Sequence, residues 1–209
     1  MFMPVLIAAL TAYLLGNLNG AVCVSALVAH DDVRSHGSGN AGLTNFIRNY
    51  GTASALLVIA IDAGKAAIAC WACAMMLEPY GYGLEGLTLG GVCVFLGHIF
   101  PALLGFKGGK GILSGGVVAF VIDWRIGFIL LAIFAIVYGL TKYVSLASVL
   151  AALAFGVAFV MFHWDNTLVM LGGVLMSVLA IFMHRGNIAR LLQGKERKTD
   201  LFSKKGKQE

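Results

Sequence analysis

The sequence predicts an all-α integral membrane protein, a bundle of seven transmembrane helices with one short span, its N-terminus outside and its C-terminus cytoplasmic. Three observations carry this. Of 209 residues, 59% are hydrophobic and 12% charged, with a mean hydropathy of +0.88, whereas soluble chains run near a quarter charged. Apolar runs of spanning length recur along the chain, with room for about seven at ~20 residues each. The cations, finally, fall on alternate connections in a way that only seven crossings reconcile.

The long runs cover about Met3 to Ala29, Thr52 to Leu77, Gly86 to Phe106, Gly127 to Leu140, Val144 to Phe162 and Thr167 to Met183, and a shorter one covers Ile112 to Ile122. Glycines inside them are expected at helix contacts, because small residues let membrane helices approach closely. The first run lacks a basic leader and is of full spanning length, so it is expected to stay as a helix. With seven spans, Arg34, Arg48, Lys107, Lys110, Lys142, Arg185, Arg190 and the tail cations fall on one side, and only Arg125 falls opposite, among Glu78, Glu85, Asp123 and Asp165. The positive-inside rule makes the cation-rich side cytoplasmic. The short run cannot cross a ~30 Å core unaided at ~1.5 Å per residue. Its helix is therefore expected to begin between Lys110 and Ser114, with its first N–H groups aimed at an anion, and to continue past Asp123 toward Arg125. Residues 1–194 form one transmembrane catalytic domain in this reading, and 195–209 a basic, solvated tail near anionic lipid. With Phe202 the tail's one aromatic residue, nucleic-acid binding has little support.

Three polar, glycine-rich islands interrupt the apolar runs, at residues 37–48, 97–111 and 184–196. Backbone N–H groups, small polar side chains and cations together suit phosphate. Gly37-Ser-Gly-Asn-Ala-Gly42 spells G-x-G-x-x-G, but a dinucleotide fold needs a preceding strand. Lys107-Gly-Gly-Lys-Gly111 lacks the glycine and the Ser or Thr of a nucleotide P-loop, since Leu104 and Gly111 stand there. The physics is shared nonetheless: consecutive glycines let N–H groups converge on an anion. Cys23, Cys70, Cys73 and Cys93 lie in apolar runs, where a thiol behaves as a small hydrophobe. A lone C-x-x-C implies neither zinc nor redox chemistry. Asp62 and Lys65 share a helix face, as a structural ion pair or with Lys65 on substrate.

In order, Ser38-Gly-Asn-Ala-Gly-Leu-Thr-Asn-Phe-Ile-Arg48, Gly97-His-Ile-Phe-Pro101, Gly105-Phe-Lys-Gly-Gly-Lys-Gly111, Tyr143-Val-Ser-Leu-Ala-Ser148 and Asn187-Ile-Ala-Arg-Leu-Leu-Gln-Gly-Lys-Glu196 resemble the acyl-phosphate:glycerol-3-phosphate acyltransferase family, PlsY, over essentially the whole chain. The resemblance implies a bacterial inner-membrane enzyme that acts as a monomer, needs no cofactor or metal, and works at the cytoplasmic face. It would transfer a fatty acyl group from acyl phosphate to the 1-hydroxyl of glycerol 3-phosphate, giving lysophosphatidic acid and phosphate. Ser38, Arg48, Lys110, His184 and Asn187 would be catalytic. Asn40, Asn45, Lys107, Gly108, Gly109, Gly111 and Ser145 would bind substrate, while His98 and Pro101 shape the glycine loop.

Ala66, the Asn17 and Asn19 pair, Ser114 and Gly186 depart from the family pattern without removing a phosphate ligand. No histidine has aspartate five positions on, so the H-x-x-x-x-D acyltransferases are not matched. The competing class is an organophosphate transporter. It would want an internal repeat and polar groups near the midplane, and neither is evident here.

Overall fold

The computed structural model describes residues 1–199, and the last tail residues, including Phe202 and Lys204 to Lys207, lie outside the described residues. Ten α-helices carry the described chain: α1 (Phe2–Gly16), α2 (Gly20–Ala29), α3 (Leu43–Tyr50), α4 (Ala55–Leu77), α5 (Gly83–Ile99), α6 (Ile112–Ile122), α7 (Trp124–Thr141), α8 (Val144–Phe162), α9 (Thr167–Met183) and α10 (Arg185–Leu192). Five segments are long and apolar enough to cross a membrane: α1 with α2, α4, α5, α7 and α8. A sixth is α9 with α10, bent by 55°, and α6 is a shorter apolar helix of 11 residues.

The first apolar run is broken at Asn17–Asn19. Asparagine side chains compete with the helix for its own backbone groups. Asn17 turns its amide back to Tyr13 O (2.7 Å), and Asn19 caps α2 by accepting from Val22 N at 3.0 Å. The new ends are met by charges from α4. Lys65 Nζ donates to Gly16 O (3.3 Å) and Leu18 O (2.5 Å), and Asp62 Oδ1 accepts from Gly20 N at 3.0 Å. Cation at a C-terminus and carboxylate at an N-terminus match the helix dipoles. Asp62 and Lys65 themselves pair at 2.7 Å with side chains 3% exposed, so the structural ion pair is what forms.

Small residues set the helix spacing. A Cβ on Gly97 of α5 would stand 2.1 Å from Tyr13 O of α1, and one on Gly90 would stand 2.4 Å from Ala69 O of α4. Cys70 and Cys73 are buried and free beside this second seam, and none of the described residues forms a His/Cys/Asp/Glu cluster suited to a metal.

The short helix begins where expected but does not pass Asp123. That residue is extended (φ −150°, ψ 106°) and caps α7 by accepting from Arg125 N, while pairing with the guanidinium at 2.6 Å. A carboxylate that close to its own downstream N–H ends one helix and starts the next. Asp123 also lies 3.4 Å from His163 at the end of α8, and Asn166 donates to Glu85 at 2.7 Å. The acids Glu85 and Asp123 thus lie at helix ends away from the glycine-rich islands, and α6 joins the two regions.

Candidate active site

The first island is a loop held open by glycine and clamped by asparagine. Gly37 (φ 58°) and Gly39 (φ 68°) take left-handed conformations that favour glycine. Asn45, buried on α3, accepts from Ser38 N (3.1 Å) and Asn49 Nδ2 (3.2 Å) and donates to Val33 O (2.9 Å) and His36 O (3.1 Å). All four of its amide hydrogen-bonding positions are taken, so it presents the loop rather than a free ligand group. Asn19 reaches the same loop, donating to Ala41 O at 2.9 Å.

The glycine loop of the second island is fastened under α5. Gly109 N donates to His98 O (3.1 Å), and a Cβ on Gly108 would stand 2.0 Å from that carbonyl. Lys107 is exposed. Lys110, three residues on, turns inward and donates to Asn187 Oδ1. Burial pushes its pKa down to about 8, against the pull of Glu196 and helped by Arg190 and Arg48. Gly111 (φ 79°) then starts α6, with Phe95 filling the place of any side chain.

On the third island His184 closes α9. Its Nδ1 lies 2.8 Å from Ala180 O, so that nitrogen carries the proton and a neutral ring keeps its Nε2 lone pair. Asn187 Nδ2 donates to Glu196 Oε1, and Arg190 Nε to Glu196 Oε2, each at 2.7 Å. Burial opposes the charge of Glu196, but these hydrogen bonds outweigh it and hold the carboxyl below its usual range. Residues 194–199 therefore return to the bundle instead of leaving it as the expected solvated tail. Arg48 donates to Thr199 Oγ1 from both Nε (3.0 Å) and a terminal nitrogen, and Tyr138 donates to Thr199 O at 3.1 Å. Burial lowers the Arg48 pKa from its usual high value.

A cavity of about 440 Å³ opens among these groups. Ser38, Asn40, Asn45, Arg48, Lys110, Gly111, Ser145, His184 and Asn187 line it; Lys107, Gly108 and Gly109, expected at the substrate, are not part of the lining. Gly109 has its N–H engaged by His98, which removes it as an anion donor. From the polar end the cavity continues between α6, α7, α8 and α9, along Phe120, Leu130, Phe134, Ala151, Phe155 and Met176. Ser145 Oγ is buried there without a hydrogen bond of ordinary geometry among the described residues, and the group it faces is Glu196, whose carboxylate it helps to stabilise. Four ionisable lining residues were not among the expected catalytic or substrate-binding residues: Asp62, His98, Arg190 and Glu196. The last two lay inside an island already singled out, where three cations and an acid within residues 184–196 were the available signal.

A helical membrane bundle whose cavity joins a cationic, hydrogen-bonding end to an apolar groove is suited to phosphorylated amphiphiles. Comparison with known proteins gives the family: residues 6–194 match the profile of glycerol-3-phosphate acyltransferase, and the chain belongs to this family of integral membrane acyltransferases. It is 40% identical over 191 residues to the glycerol-3-phosphate acyltransferase of Paraburkholderia xenovorans, covering 91% of this chain and 89% of that one. Over 196 residues it is 38% identical to that of Thermoanaerobacter sp., covering 94% and 96%. The fold is similar to crystal structures of PlsY (YgiH), an integral membrane glycerol 3-phosphate acyltransferase. Its glycerol 3-phosphate form gives a TM-score of 0.83 at 30% identity, covering 95% of this chain and 99% of that one. Its lysophosphatidic acid form gives 0.79 at 29%, covering 94% and 96%.

Proposed function

We propose that this protein transfers a fatty acyl group from acyl phosphate to the 1-hydroxyl of sn-glycerol 3-phosphate, releasing 1-acylglycerol 3-phosphate and inorganic phosphate. The observation that carries the reading is the two-ended cavity. Its apolar groove suits an acyl chain, while Arg48, Lys110, Ser38 and Ser145 at the other end suit phosphate oxygens. The hydroxyl oxygen attacks the acyl carbon, the bond from that carbon to the phosphate oxygen breaks, and the departing phosphate takes up the hydroxyl proton. His184 Nε2 accepts a hydrogen bond from the attacking hydroxyl and orients it. Lys110 and Arg48 stabilise charge on the phosphates, and Asn187 holds Lys110 in place. Acyl phosphate is already activated, and none of the four cysteines lines the cavity, so direct transfer needs no acyl-enzyme.

All the groups come from one chain, so a monomer suffices. In a bacterial inner membrane, seven spans with the N-terminus outside put the three islands on the cytoplasmic face, in keeping with the concentration of cations there. Two measurements test this. The purified full chain in detergent, with no added metal, nucleotide or thioester, is expected to release phosphate from palmitoyl phosphate only when glycerol 3-phosphate is present; activity restricted to acyl thioesters would contradict the donor. Single cysteines placed at 107 and 125 in a cysteine-free background are expected to be labelled from the cytoplasmic and outer sides respectively. Labelling of both from one side would make α6 re-entrant.

A further inference from the structure

His98 is a buried cavity-lining side chain to which the reaction above gives no role. It sits on the last turn of α5 and is 5% exposed. Its Nδ1 lies 2.9 Å from Lys65 Nζ and 3.6 Å from Asp62 Oδ1. An ammonium can only donate, so the shorter contact makes Nδ1 an acceptor, and a neutral ring then carries its proton on Nε2. Nε2 itself makes no hydrogen bond to any described residue. Gly109 stands directly over it: a Cβ at 109 would lie 2.2 Å from Nε2 and 3.0 Å from Cε1. Glycine there leaves the nitrogen uncovered, one residue before Lys110.

We propose that His98 is a substrate-contacting hydrogen-bond donor, its Nε2–H binding a phosphate oxygen beside Lys110, with Lys65 fixing the tautomer that makes the donation possible. The inference rests on the acyltransferase reading above and adds a donor to its phosphate site. Nε2 is not one of the fully enclosed atoms without a partner, so its donor hydrogen opens onto the cavity, where a ligand or water completes it. Lys65 has a role here that its pairing with Asp62 alone does not require. Its position fixes which imidazole nitrogen faces the cavity.

The test compares His98→Gln, whose amide nitrogen reaches near the Nε2 position, with His98→Asn, whose amide falls near Nδ1. In the full chain, His98→Asn is expected to lower kcat/KM by about 10–100-fold, as loss of a hydrogen bond to a charged group does, and His98→Gln to regain most of it. A rise confined to the KM for glycerol 3-phosphate places the contact on that phosphate, and one confined to the KM for acyl phosphate places it on the donor. Equal constants for the two variants, at matched thermal midpoints, would overturn the proposal. Inorganic phosphate binding to the same proteins needs no turnover and so separates failure of this inference from failure of the reaction assignment: weaker binding in Asn with recovery in Gln supports it, and identical binding rejects it. On the unsubstituted protein, 15N-histidine labelling should report Nε2 protonated and shifting on addition of inorganic phosphate. A ring protonated only on Nδ1 would refute it.

Discussion

Lys110→Ala is expected to lower kcat/KM by about 10²–10³-fold, the usual cost of removing one preorganised donor at a developing charge. Lys107→Ala, in the same loop, should stay within a few-fold of the unsubstituted enzyme, because an exposed cation is screened by solvent and salt. The contrast follows from placement. Lys107 points to solvent, whereas Lys110 is half-buried against Asn187, Glu196 and the cavity.

Burial also makes this lysine readable by pH. Its pKa is pushed down to about 8, so the free enzyme holds the cation below that pH and loses it as pH rises through it. The kcat/KM profile, which reports groups of the free enzyme, should therefore fall across this region. Lys110→Arg should abolish the alkaline fall, since a guanidinium stays charged, while lowering the plateau because a planar fork does not fit where Nζ meets one amide oxygen. Steady-state kinetics of the three variants across this range check both statements. Equal losses in Lys107→Ala and Lys110→Ala would show that the cavity is not the phosphate site.

Which of those two lysines turns inward was not legible in the sequence, and the reason is local geometry. Both sit in Lys107-Gly-Gly-Lys110, and their fates are separated by the bond from Gly109 N to His98 O and by the left-handed Gly111. The membrane class and the helices were legible, because hydropathy is a property of whole segments. Even α6 could be located as a helix, since its apolar run from Ile112 to Ile122 is continuous in the sequence. The break at Asn17–Asn19 was not, as two asparagines barely dent the hydropathy of a run of that length, and the groups that stabilise the break come from more than forty residues away. Asn45 was expected at the substrate and does line the cavity, but the four hydrogen bonds that occupy its amide come from residues the sequence alone does not bring together. Glu196 read as part of a solvated run, and only the return of residues 194–199 to α10 and α3 gives it Asn187 and Arg190 as partners.

The largest loss of stability is expected from Lys65→Met. Asp62 and Lys65 are nearly as buried as any charges can be, and Lys65 also satisfies two carbonyls at the end of α1. Methionine fills the volume but leaves the carboxylate and both carbonyls without their cation. Breaking a buried pair by removing one partner costs about 3–5 kcal/mol. Replacing Asp32 of the partly exposed Arg34 pair should cost only about 1–2 kcal/mol, the lost cap on Arg34 N included, because water already screens the ion pair. Asp62→Asn combined with Lys65→Met should recover part of the loss, since an amide oxygen can still accept from Gly20 N while the unpaired charge is gone. The effect should reach the cavity through the break itself: Asn17 holds Leu103 N at 3.0 Å, Asn19 holds Ala41 O, and His98 holds Gly109. Lys65→Met is therefore expected to lose activity at temperatures where Lys110→Ala is still folded, as measured by thermal unfolding in detergent alongside phosphate release. A Lys65→Met protein with the thermal midpoint of the unsubstituted chain would mean that the broken helix is held by packing alone.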